Sequence, residues 1–193
     1  MGDITDEDIR RLIDDVRYMR DRQEILDCIN MYGRGLDRLD PDLIAAAFHN
    51  DAIDNHGPFV GTLQEFVPWA IEVESELLWT HHGITSHNCE INGDEAHAES
   101  YVYWVSKMRE DGKLVALGGG RYIDRLERRN NQWKISLRRL LMDYVFVVPT
   151  NDYMGEEWTA KIGTRDRDDP SYMRPLKLPP DLEKVLEGKL KSG

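Results

Sequence analysis

Apolar positions follow two spacings along this chain. Up to about residue 78 they recur every three or four places, as on helices buried by one face; from there to about 148 they alternate, as on half-buried strands. Ile9, Leu12, Ile13, Val16 and Met19, after a cap at Thr5, predict a first amphipathic helix that serves as a packing or oligomer arm. A second helix is expected over about 22–38, with Ile25, Cys28, Ile29, Tyr32 and Leu36 on one face and Asp37 near its C-terminal end. Asp40 as N-cap and Pro41 at the first helical position open a short third helix reaching to 48. A strand over 52–55 and a Gly57-Pro58 turn follow. Thr62 and Glu65 then form a capping box for a fourth helix running to about 78, with Pro68 as a kink point.

The alternating part predicts strands over 79–91, 96–108, 114–127 and 133–148. They are joined at Asn92-Gly93-Asp94, at 110–113 and at Asn130-Asn131. This is an antiparallel meander, in which Gly118, Gly119 and Gly120 mark a bulge or bend. The fold class is α+β. The expected division is an N-terminal extension over 1–20, one domain over 21–149, and a tail over 150–193 that packs on the domain or a neighbouring subunit, with a short helix over 181–190.

Length and composition agree with one domain: 193 residues, 40% hydrophobic and 32% charged. The net charge of -11 repels phosphate backbones, so no nucleic-acid partner is expected. No apolar run is long enough for a membrane span, and the acidic start carries no secretory signal, so a cytoplasmic setting without membrane contact is expected. Cys28 and Cys89 lack paired spacing and read as buried free thiols.

Tyr32-Gly33-Arg34-Gly35-Leu36-Asp37, then Asp40, Phe48, Asp51 and Ala52, form one set of chemistry-bearing positions. His82 ahead of Gly93-Asp94-Glu95-Ala96 forms another, and Gly119 to Asp124 with Arg128 and Trp133 a third. Together, over about 21–148, they resemble the SnoaL-like branch of the nuclear transport factor 2 superfamily. The resemblance is strongest to its scytalone dehydratase, lindane dehydrochlorinase and bile-acid 7α-dehydratase group. It implies a cone-shaped α+β barrel, its curved antiparallel sheet wrapped around the N-terminal helices. It further implies a cofactor-free lyase without a metal, a homo-oligomer with a trimer favoured over a dimer, and a hydrophobic small-molecule substrate. The group's His and Asp pair corresponds to His82 and Asp37, and Tyr32 corresponds to a tyrosine that hydrogen-bonds substrate. An arginine of the last strand acts on the substrate in some of these enzymes; Arg138, which shares parity with Met142, is favoured over Arg139, with Arg121 a further candidate.

The chemistry fits these residue types. Elimination beside an acidic C–H requires a base that titrates near neutrality, and histidine does. A carboxylate on its far nitrogen fixes the tautomer and stabilises the imidazolium. Strand parity sets His82, Ile84 and Ser86 on one face and His81, His87 and Cys89 on the other, which leaves a metal site from the latter three without a closing ligand. His49 and His56 read as loop residues and His97 as solvent-facing. Trp69, Trp79, Tyr101, Tyr103, Trp104, Met142 and Phe146 supply pocket lining or core. The expected function is elimination of water, halide or a small carbon fragment from an aromatic or polycyclic molecule, with an isomerase or cyclase, or a noncatalytic ligand binder, as alternatives.

Overall fold

The computed structural model describes residues 4–109, 113–150, 163–180 and 182–183. Helix α1 (Asp6–Asp37) is continuous, so the two helices expected before residue 38 are one. The charged run Arg20-Asp21-Arg22 contains neither glycine nor proline, and such residues propagate a helix. Thr5 caps it through a reciprocal box with Asp8. Its first half keeps Ile9, Leu12, Val16 and Met19 exposed, and its second half buries Ile25, Ile29, Tyr32 and Leu36 in the core.

Helix α2 (Pro41–Ala46) starts at the Asp40 cap. It packs so close to α1 that a Cβ on Gly35 would lie 2.7 Å from the Ile44 side chain and 2.8 Å from its backbone nitrogen. Strand β1 (Phe48–His56) is longer than expected at both ends and takes in both His49 and His56, which are therefore strand residues. Strand β2 (Phe59–Thr62) pairs with it as a hairpin across Gly57, whose φ of 75° suits glycine. Helix α3 (Leu63–Ser75) follows the Thr62–Glu65 box.

The long strands are β3 (Leu77–Asn92), β4 (Glu95–Met108), β5 (Leu114–Arg129) and β6 (Gln132–Pro149). The six strands form one sheet in the order β2-β1-β6-β5-β4-β3. The sheet is mixed: the β3–β6 meander is antiparallel, while β1 joins β6 in parallel. Extra residues bend it. Between Ile84 and His87, β3 advances three positions while β4 advances two; β6 carries extra residues at Ser136 and Asp143, the latter opposite Gly119-Gly120.

The core lies between the inner face of this sheet and the helices, with Phe48, Phe66, Val102, Tyr122, Leu126 and Ile135 joined to the α1 residues. Arg128 ties β5 to the β3–β4 turn and to α1, bonding Asp94 at 2.8 Å and Asp21 at 2.9 Å while its guanidinium lies over the Trp133 ring. Cys28 and Cys89 are buried free thiols.

Residues 154–193 form a separate compact unit. Its described part holds a short helical turn (Pro170–Tyr172) capped by Asp169. The helix expected over 181–190 lies outside the described residues except for Leu182 and Glu183.

Candidate active site

The open side of the sheet encloses a cavity of about 530 Å³. Its wall is mostly apolar: Leu36 from α1, Phe66, Trp69 and Val73 from α3, Trp104 and Met108 from β4, Ala116 from β5, and Leu140, Met142 and Val147 from β6. Trp104 lies across Gly118, where a Cβ would meet the indole. Trp79, Tyr101, Tyr103 and Phe146 are exposed instead, because their parity sets them on the outer face. The polar groups on the wall are His82, His56, Tyr32, Tyr122, Glu74, Thr80 and Ser106.

His82 and Asp37 are brought together by the end of α1 meeting β3. Gly33, one turn before Asp37, stands where even a Cβ would be only 3.5 Å from the His82 Cβ. The Asp37 carboxylate is 2.8 Å from His82 Nδ1 and accepts the His82 backbone N–H at 3.1 Å from each oxygen. A carboxylate only accepts, so neutral His82 donates from Nδ1 and keeps a lone pair on Nε2. The two side chains are 8% and 15% exposed; His82 lines the cavity, and Asp37, outside the lining, stands behind it.

Tyr32 also lines the cavity, and its buried hydroxyl has no partner among the described residues. Burial, with Tyr122 and Asp54 nearby, pushes its pKa well above the ordinary value, so it is a proton donor in hydrogen bonds and not a base. Arg138 is not brought to the cavity wall. It is fully buried beneath the aromatic rings, its charged group 4.3 Å from the Tyr32 centroid and 4.0 Å from that of Tyr122, and it bonds Asp124 through two contacts of 2.7 Å. Burial pushes the Asp124 carboxyl up while Arg138 opposes it; the bidentate geometry is that of an ionised pair. Arg139 is exposed, and Arg121 bonds Glu99 at 3.0 Å.

The extra residue in β3 changes the expected parity. Beyond it, His87 and Cys89 turn to the same inner side as His82, and His81 stays outside. His87 Nδ1 lies 2.8 Å from the Ser100 hydroxyl, and burial together with the Arg22 charge lowers its pKa. Among the described residues no group of three or more His, Cys, Asp or Glu side chains is arranged to hold a metal ion. No helix among them is long and apolar enough to cross a membrane. His49 bonds the Glu127 carbonyl at 2.8 Å, and His97 is exposed beside Glu95.

Sequence reasoning missed His56. It ends β1 on the cavity wall, its Nδ1 3.2 Å from the buried Asp54. The spacing of Asp54 and His56, two apart on a strand and so on one face, was the available signal.

The sequence profile of the SnoaL-like domain matches residues 17–139. The chain belongs to the SnoaL-like family. Solved structures of similar fold include a type-3 hexachlorocyclohexane dehydrochlorinase LinA from Novosphingobium barchaimii, 19% identical over 73% of this chain and 99% of that one, with a TM-score of 0.66. A candidate scytalone dehydratase from Novosphingobium aromaticivorans is 20% identical over 72% and 91% of the two chains, with a TM-score of 0.62. The Kfla4162 protein of Kribbella flavida is 21% identical over 67% and 95%, also at 0.62. Comparison with curated proteins by sequence gives no match. At these identities the structural neighbours share the SnoaL-like fold with this chain, and the assignment of chemistry rests on its own residues.

Proposed function

We propose that this SnoaL-like protein is a cofactor-independent lyase acting on a hydrophobic, aromatic or polycyclic small molecule. The observation that carries the reading is the 2.8 Å contact of Asp37 with His82 Nδ1 at the wall of a mostly apolar cavity. His82 Nε2 removes a proton from carbon beside an activating group, and Asp37 holds the tautomer and stabilises the imidazolium. The electron pair forms the double bond as the leaving group departs. Tyr32 donates a hydrogen bond to a substrate oxygen. Arg138 acts from behind the rings of Tyr32 and Tyr122, its charge opposing the effect of burial on the Tyr32 hydroxyl and so strengthening that donor. A cavity of about 530 Å³ suits a molecule of one to a few rings.

The related structures named for dehydrochlorinase and dehydratase activity favour elimination over other chemistry on this fold. A homo-oligomer, with a trimer favoured, is supported by the outer face of β4, β5 and β6, where Tyr101, Tyr103, Leu117, Tyr144 and Phe146 are all exposed.

The test is turnover of aryl-substituted β-hydroxy ketones and halides by purified protein, by His82→Ala and by Asp37→Asn. Loss of turnover in both variants with ligand binding retained supports the dyad. Binding without turnover in wild type, unchanged in both variants, refutes it.

A further inference from the structure

The cavity holds a second imidazole and carboxylate pair that the elimination step above does not use. His56 Nδ1 is 3.2 Å from Asp54 Oδ1; Asp54 is 1% exposed, and its other oxygen has no partner among the described residues. With Nδ1 directed at Asp54, Nε2 is the His56 nitrogen left for the cavity. β1 stands toward one edge of the sheet and β3 forms the other, so curvature brings His56 and His82 to one cavity from opposite edges. Aromatic rings fix the imidazole: Phe66 at 5.4 Å, Trp69 at 6.0 Å, Tyr122 at 6.3 Å and Tyr32 at 6.5 Å between centroids. The charged groups near it are Glu74 from α3, on the same cavity, and Arg138 from β6, whose Cα is in register with that of Asp54.

A buried carboxylate behind an imidazole stabilises the imidazolium, and an imidazolium facing substrate is a proton donor. A halide leaves as an anion and needs no proton, whereas hydroxide or alkoxide is a poor leaving group until protonated. We propose that His56, oriented by Asp54, is the general acid of this site, and that the substrate therefore eliminates an oxygen leaving group. This rests on the lyase reading above. In the step, His82 Nε2 takes the carbon-bound proton and the C–H pair becomes the new π bond. The C–O pair goes to oxygen, and the His56 Nε2 proton joins it to release water or an alcohol. His82 ends protonated and His56 neutral, and proton exchange with solvent restores both.

The experiment compares two substrates, a β-hydroxy aryl ketone and the same ketone carrying a β-para-nitrophenoxy group, whose anion leaves without protonation. His56→Gln should lower kcat at least about a hundredfold on the hydroxy ketone, the lower end of a general-acid contribution, and less than about threefold on the nitrophenoxy ketone. Asp54→Asn should reproduce that split with a smaller loss, and it decides the matter if His56→Gln melts below the assay temperature. Equal losses on both substrates, or none on either, overturn the general-acid role while leaving the lyase reading intact. Turnover by wild type that survives His82→Ala, or no turnover of either ketone by wild type, overturns the lyase reading and this inference with it.

Discussion

Replacing Asp37 by asparagine separates the orienting role of the carboxylate from its bulk. Asp37 accepts from two donors of one residue, the His82 backbone N–H and Nδ1–H. Asparagine keeps one oxygen and replaces the other by NH₂. The backbone N–H lies 3.1 Å from both positions, so it finds the oxygen in either orientation and the choice is made at Nδ1. With the NH₂ toward Nδ1, that nitrogen becomes an acceptor by moving the ring proton to Nε2. This is the arrangement that disables the base, and it is the one expected by analogy with the same exchange in serine-protease triads. It places the proton where the base needs a lone pair. The analogous exchange in serine-protease triads lowers kcat by about 10⁴; here a loss of about 10³ to 10⁴ is expected, equivalent to roughly 4–5.5 kcal/mol of barrier. Stability should fall by only about 1–2 kcal/mol, since one hydrogen bond loses its charge and the other is kept in reversed sense. The assay pairs kcat on a β-hydroxy aryl ketone with a proton–nitrogen correlation spectrum of selectively labelled histidine. A variant whose His82 proton has moved to Nε2 yet retains kcat within threefold of wild type would refute the assignment of His82 as base.

Other expectations follow from the buried groups. Asp124→Asn leaves the Arg138 guanidinium at zero exposure without its counter-charge, and should cost about 3–5 kcal/mol in urea unfolding. His87 has a lowered pKa in the fold, so the unfolded chain binds its proton first; this contribution to stability is complete above about pH 6.5 and is lost as pH falls toward the folded pKa. His87→Asn, which can still pair with Ser100, should flatten that part of the acid dependence in thermal melts. The Cys28 thiol, pushed up to about 12 by burial, should resist iodoacetamide at pH 8 in the native protein and react once the chain is unfolded, as mass spectrometry would detect. Gly118→Ala sets a methyl against the Trp104 indole and should drive the ring into the cavity, weakening binding of a polycyclic ligand more than that of a single-ring one by calorimetry.

The helices that carry Asp37 and the strand that carries His82 were legible in the sequence because their apolar periods differ and because Thr5, Asp40 and Thr62 mark helix starts. The join of α1 was not: a charged run such as Arg20-Asp21-Arg22 resembles a break in pattern but imposes no backbone constraint. The irregularities of β3 and β6 were hidden for a related reason. Thr85, Ser86 and Ser136 fit a regular strand as well as a bulge, and only pairing with the neighbour counts the extra residue. β2 is too short to show a period of its own. His56 reaches the cavity because β1 joins β6 in parallel, a pairing between segments some eighty residues apart that no local pattern encodes.

The extra residue between Ile84 and His87 also makes β3 two independent addresses on one strand. Deleting Thr85 or Ser86 would restore regular pairing with His87 still opposite Ser100 and facing inward, while His82 keeps its place against Asp37. The bulge therefore takes up a change of one residue without turning either half of the strand over, and substitutions in the distal half reshape the interior beyond it without moving the base. That half of the strand is where such a fold can vary its interior while its chemistry stays fixed.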